Sequence, residues 1–185
     1  MKRKLLQWFK KYVLGIDPRS SYQMALDNGM IVGENISVQD GVKFDISHSW
    51  LISLGNNVTI APDAYILAHD ASTKRDLGYV KISKVQIGNN VFIGARSIIL
   101  PGVAIGDNVI IGAGSVVTKN IPSNSVVAGN PVHFLRTYDD YMNQQNQLLK
   151  EQPKFDATFT IRYGVEDVKK QQMIKQLENT SGFII

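Results

Sequence analysis

Cysteine is absent from this chain, which removes disulfides, thiolate metal sites and a thiol nucleophile at once. That absence fits a reducing compartment, and a cytoplasmic location is the expectation. Long apolar runs are missing too. None approaches the roughly 18–20 residues that a membrane-spanning helix needs. Charge is sparse, at 19% of residues with a net +4. Away from the first residues there is no basic stripe with interleaved aromatics, so nucleic acid is not an expected partner. Histidine occurs three times, as His48, His69 and His133, with none near another in sequence. No metal-ligand spacing is visible, and no metal is expected.

What is present reads as globular. Hydrophobic residues make up 44% of the 185 positions, enough for one domain with small appendages. Much of the positive charge lies in the first eleven residues, where Lys2, Arg3, Lys4, Lys10 and Lys11 flank Leu5, Leu6, Trp8 and Phe9. Gln7, Lys10 and Lys11 break the apolar stretch, and Asp17 and Pro18 follow, so a secretory signal is not expected. A short basic amphipathic helix is. It has two open roles: packing on the domain, or peripheral contact with an anionic membrane, which would place the protein at the membrane's inner face.

The central feature is a six-residue repeat. From Ile87 to Pro122 the chain divides into IGNNVF, IGARSI, ILPGVA, IGDNVI, IGAGSV and VTKNIP. Ile87, Ile93, Ile99, Ile105, Ile111 and Val117 open the units. A small or branched residue follows four places on: Val91, Ser97, Val103, Val109, Ser115 and Ile121. Six residues at about 100° each would scatter these aliphatics around a helix. A short strand plus a turn instead points every opening residue inward, with Gly or Asn in the turn for positive φ. Stacked units then bury a column of Ile and Val, which makes the core all-β, a parallel β-helix.

The same beat runs upstream through Val32, Val38, Phe44, Leu54, Ile60 and Ile66, and it breaks twice. One break covers DISHSWLIS between Phe44 and Leu54. The other runs from His69 through a loop ending before Ile87. Breaks in a repeat form loops, where function concentrates. After Pro122 the pattern stops, and helical spacing returns at Tyr138, Tyr141, Met142, Leu148 and Leu149, then at Val165, Val168, Ile174 and Leu177. The expected organisation is a lead-in over 1–29, a β-helical domain over 30–136 with an insertion at 70–84, and a helical extension over 137–185.

The run from the repeats through VVTKNIP to AGNP resembles the hexapeptide-repeat acyltransferases, in particular sugar O-acetyltransferases of the maltose and galactoside type. The resemblance covers about residues 30–136. It implies a left-handed β-helix, a homotrimer with active sites between subunits, and acetyl-CoA as co-substrate. It also implies a sugar or glycan hydroxyl as acceptor, from a capsular, exopolysaccharide or lipopolysaccharide precursor. Handedness comes from the resemblance alone, since parallel crossovers are otherwise right-handed. Alternatives are N-acetylation of a sugar-nucleotide amine or an antibiotic, and a non-catalytic β-helical scaffold.

Attack of a hydroxyl on a thioester needs a base, and a neutral His suits that task near pH 7. By resemblance the base is His69 in ILAHDAS. Asp70, or failing it Asp76, is expected to receive its N–H and to stabilise the imidazolium. Asp45, His48 and Trp50, in the first break, are candidates for acceptor contact. Small residues Gly94, Ala95, Gly112 and Ala113 would floor the CoA groove, with the Ala95 backbone facing the thioester. Thr118 and Lys119 match positions at the adenine and phosphate end. Arg136 suits a phosphate by its charge and fork geometry, and His133 is a weaker candidate for the same end.

Overall fold

Each hexapeptide delivers one short strand, and three of them complete a coil. The computed structural model describes residues 20–185, so the expected N-terminal amphipathic helix lies outside the described residues. Helix α1 (Ser21–Asp27) is capped by Ser20, whose Oγ accepts the Gln23 N–H at 3.1 Å. The first coil holds β1 (Ile31–Val32), β2 (Ser37–Val38) and β3 (Lys43–Phe44). A 3-10 turn over Ile46–Leu51 leads to β4 (Ile52–Leu54), β5 (Val58–Ile60) and β6 (Tyr65–Ile66). The second break carries β7 (His69–Asp70), α2 (Lys74–Leu77) and β8 (Lys81–Ile82). Two further coils follow as β9 (Val85–Ile87), β10 (Val91–Ile93) and β11 (Ile98–Ile99), then β12 (Ala104–Ile105), β13 (Val109–Ile111) and β14 (Val116–Val117). The coil region closes with β15 (Ser125–Ala128) and β16 (His133–Thr137).

Three sheets result, in the orders β1-β4-β9-β12, β2-β5-β10-β13-β15-β16 and β3-β6-β11-β14. Every coil gives one strand to each, and all pairs within them are parallel except β15–β16. Residues with the same repeat position stack: Ile60, Ile93, Ile111 and Val127 form one buried column, and Phe44, Ile66, Ile99 and Val117 another. Ser97 and Ser115 are buried at inward positions, where their hydroxyls donate to the Gly112 carbonyl at 3.0 and 2.6 Å. A hydroxyl that finds a carbonyl can enter an apolar column without leaving an orphan group.

Positive φ falls, as expected, on Asn or Gly in the turns: Asn57, Asn90 and Asn108 all sit at 55°, and Gly102 and Gly114 at 89° and 69°. The Asn amides join in a ladder, with Nδ2 donating to the next Oδ1 at 2.9 and 3.0 Å. The Gly of the aliphatic–Gly pair serves close approach instead. A Cβ on Gly55 would lie 2.7 Å from the Gly88 carbonyl carbon and oxygen, and one on Gly88 would meet Gly106 in the same way. Any side chain there would force coils apart.

The chain divides into two compact units, the second being Asp139–Ile185. Around it run α3 (Tyr138–Glu151), β17 (Lys154–Phe155), α4 (Asp167–Gln176) and β18 (Phe183–Ile184), with β17 and β18 pairing in parallel. Phe155 is its buried centre, packing its ring 5.1 Å from that of Phe159.

A single methyl at the stacked corner is expected to be costly. Gly55→Ala should lower unfolding free energy by about 1–3 kcal/mol, the range of overpacked cores. Denaturant unfolding would check this, and an unchanged midpoint would contradict the close-approach reading.

Candidate active site

Both breaks in the repeat fall at the same corner of the coil, one above the other. Phe44 pairs with Ile66, so the residues after β3 lie beneath those after β6. The chain leaves β3 at Asp45 and enters the 3-10 turn. Buried Ser49 closes that turn by donating its hydroxyl to the carbonyls of Asp45 at 2.9 Å and Ile46 at 3.2 Å. His48 breaks the helical geometry in the middle, at φ −137° and ψ 35°. One coil later the chain leaves β6, and after Ala68 it presents His69 at the start of an antiparallel pair, where His69 faces Ile82 and Asp70 faces Lys81.

Asp45 is the centre of this arrangement. Its side chain is 1% exposed. Oδ2 accepts the Ala68 N–H at 3.0 Å and contacts Nδ1 of His69 in a short hydrogen bond. Burial pushes the Asp45 carboxyl up, but the hydrogen bonds from His69 and Ala68 and the charges of His69 and His48 outweigh it. The net pKa lies below the ordinary carboxylate value. An ionised carboxylate can only accept, so in the neutral ring it selects the tautomer with the proton on Nδ1 and the lone pair on Nε2. His69 is half-buried, which leaves that ring accessible.

This geometry corrects the expectation for Asp70. Neighbours on a strand point to opposite faces, so Asp70 turns away from the side that His69 presents to Asp45. Its carboxylate accepts the Ser72 N–H at 2.8 Å, is exposed, and has its pKa lowered by the hydrogen bonds from Ser72. Asp76 pairs with Arg75 at 3.1 Å on the surface and contacts neither histidine. Asp45, a candidate for acceptor contact, hydrogen-bonds to His69. The available signal was the stacking of Phe44 on Ile66, which brings position 45 under positions 67–69.

His48 stands in the same cluster. Its ring centroid is 5.3 Å from that of His69 and 5.5 Å from that of Trp50. Trp50 is 57% exposed, so it is surface rather than core. The three rings form a stepped row beside the Asp45 carboxylate.

The small residues gather at a different corner, after the second sheet. Gly94 and Ala95 stack on Gly112 and Ala113: the Gly94 N–H donates to Ile111 O and the Gly114 N–H to Ala95 O, both at 2.8 Å. A Cβ on Gly94 would lie 2.7 Å from the Gly112 carbonyl carbon. Thr118 and Lys119 are exposed after β14, while His133 and Arg136 are exposed on β16. Within one chain, the His69 corner and the Gly94–Ala113 corner are separate.

Comparison with known proteins places this architecture. Residues 84–119 match the family described as hexapeptide repeat of succinyl-transferase. Protein CapG of Staphylococcus aureus is 48% identical over 99 residues, covering 51% of this chain and 58% of CapG. A galactoside acetyltransferase solved in complex with coenzyme A is 31% identical, with 77% of this chain and 82% of that one covered at a TM-score of 0.51. The hexapeptide-repeat-containing acetyltransferase VCA0836 from Vibrio cholerae shares the fold at 21% identity, covering 75% and 93% of the two chains with a TM-score of 0.54. The chain belongs to the hexapeptide-repeat acyltransferase family. It spans about six-tenths of the length of the first curated relatives it matches.

The Asp45 carboxylate carries a pH signature. A folded pKa below the unfolded value of about 4 gives stability that is full above that value and lost as pH falls through the folded one. The unfolding free energy should therefore drop more between about pH 5 and about pH 3 in the wild type than in Asp45→Asn. Asp70 and Asp156, also lowered, remain in both proteins. Parallel urea titrations giving equal drops would refute the assignment.

Proposed function

We propose that this protein is an acetyl-CoA-dependent O-acetyltransferase that acetylates a sugar hydroxyl by direct transfer, with His69 as general base and Asp45 as its positioning residue. The buried, ionised Asp45 on Nδ1 of His69 carries this reading. It leaves Nε2 ready to take a proton at the coil corner where the repeat is interrupted.

In this mechanism the acceptor hydroxyl gives its proton to His69 Nε2 as its oxygen attacks the thioester carbonyl. The tetrahedral oxyanion is held by the Ala95 backbone N–H. Its collapse breaks the C–S bond, and the His69 imidazolium returns the proton to the departing CoA thiolate. Asp45 stabilises the imidazolium between the two steps. His48 and Trp50 line the acceptor side, where an indole face suits the apolar face of a sugar ring. Gly94, Ala95, Gly112 and Ala113 floor the pantetheine groove. Thr118 and Lys119 take the adenine and phosphate end, and Arg136 takes a phosphate. No metal has a part in this chemistry.

The remaining organisation follows from the same reading. The coils wind left-handed over 30–136 with the insertion at 70–84, preceded by the lead-in 1–29 and followed by the extension 137–185. Three copies assemble around a threefold axis, which sets the His69 corner of one protomer beside the small-residue corner of its neighbour and completes the site. Likeness to a galactoside acetyltransferase crystallised with coenzyme A supports both the donor and the sugar class. Among the described residues no helix is long and apolar enough to cross a membrane.

The test is calorimetric titration of acetyl-CoA, paired with thiol release over a panel of methyl glycosides. His69→Ala should retain acetyl-CoA binding and lose about 10²–10⁴-fold in turnover. Asp45→Asn should lose about 10²-fold or more in turnover with little change in the acetyl-CoA KM. Near-normal turnover in His69→Ala would remove the mechanism, and no acetyl-CoA binding in any variant would remove the donor.

A further inference from the structure

Among the described residues, the one buried side-chain polar atom without a hydrogen-bond partner is Nδ1 of His48. Leaving such a group unsatisfied is destabilising. It faces Oδ1 of Asp45 at 3.8 Å, too far for a hydrogen bond. Acyl transfer uses the other carboxylate oxygen, through Oδ2 and His69, and makes no use of Nδ1 of His48 or Oδ1 of Asp45. One ligand atom from each of Asp45, His48 and His69 lies within 4.8 Å of the other two. The His48 nitrogen and the Asp45 oxygen thus lie close enough, with a ring nitrogen of His69, to share one small ion.

We propose that Asp45, His48 and His69 form an inhibitory binding site for a divalent transition cation of the zinc type. Two imidazoles and one carboxylate are a donor set for such ions, whereas magnesium and calcium prefer all-oxygen shells. Donors around one tetrahedral zinc at about 2.0–2.1 Å stand about 3.3 Å apart. Side-chain shifts of about 1 Å therefore bring the three atoms to bonding positions. Asp45 is enclosed at 1% exposure, while His48 and His69 keep 25% and 36%, so the cation enters past the imidazoles and retains an open fourth position. Coordination takes the Nδ1 lone pair of His69, so the proton of the neutral ring moves, by exchange with solvent, from Nδ1 to Nε2. The hydrogen bond that positions the base is then gone, and Nε2 carries the proton and has no lone pair with which to accept another. Inhibition rests on the acyltransferase reading, but cation binding does not.

Tag-free, chelator-treated full-length protein would be titrated with zinc chloride by calorimetry, with bound metal counted by mass spectrometry and magnesium chloride run in parallel. The expected result is one zinc per chain, weakened about 10-fold or more in His48→Gln and unchanged in His133→Gln, with no heat from magnesium. Circular dichroism would check the fold of each variant, with His48→Asn as a second substitution at the same position. In the thiol-release assay, zinc should inhibit with the midpoint at which it binds, and EDTA should restore turnover. Zinc binding unaffected by both His48 substitutions, or abolished in His133→Gln, overturns the site. Turnover undiminished at saturating zinc overturns the inhibition. Site-specific zinc binding by a chain that transfers no acetyl group even without metal would support the site and sink the acyltransferase reading alone.

Discussion

Everything in the first unit depends on coils stacking at one fixed spacing. Parallel strands set that spacing through backbone hydrogen bonds, and the corners must match it. At the Gly55, Gly88 and Gly106 corner, backbone meets backbone with no room for a Cβ. The neighbouring side chains then satisfy the turn from above. Asn89 Oδ1 accepts the Asn56 N–H at 2.8 Å, Asp107 Oδ1 accepts the Asn89 N–H at 2.6 Å, and Ser123 Oγ accepts the Asp107 N–H at 2.9 Å. Each coil supplies the caps of the one before it, so the corners are cooperative in the manner of repeat proteins. Each of these turn N–H groups thus finds its partner in the next coil.

The site is a consequence of that register rather than an addition to it. Asp45 and His69 are 24 positions apart in sequence, yet the Phe44–Ile66 pairing makes them neighbours along the stack. The extra residues of the first break do not disturb the coils on either side, because the 3-10 turn folds them out and Ser49 ties its ends. A rigid scaffold thus carries two irregular segments whose relative height is fixed by strand pairing. Preorganisation of this kind holds the His69 ring in one orientation without a reordering step.

The fold was largely legible because its signal is periodic. Inward aliphatics, inward Ser97 and Ser115, and the two helices beyond Pro122 all follow from residue type and spacing. Positive φ in the turns was foreseen on Gly or Asn and is found at Asn90, Asn108, Gly102 and Gly114, but the close approach of the stacked coil at Gly88 was not foreseen. His69 was singled out through the family resemblance, but the carboxylate that contacts it was not. Its partner was sought in adjacent sequence, at Asp70, whereas a β-helix puts spatial neighbours about one coil apart. Counting in coils rather than in residues points to Asp45. The contact distance and the orphaned Nδ1 of His48 are side-chain geometry inside an irregular turn, and no periodicity encodes them.

One carboxylate serving two histidines is an unequal arrangement, and the inequality decides what each ring can do. Oδ2 of Asp45 already holds Ala68 and His69, which fixes the carboxylate plane to the backbone of the upper coil. Oδ1 is left toward His48, whose position is set by the lower coil and by the kink in its own turn. Ser49 ties the backbone of the 3-10 turn and the Ala68 N–H holds the Asp45 carboxylate, so the histidine rings are the parts that can turn. A bound group that draws both rings toward Asp45 would give the orphaned His48 Nδ1 a partner, and the ring nitrogens favour a cation that nitrogen can ligate.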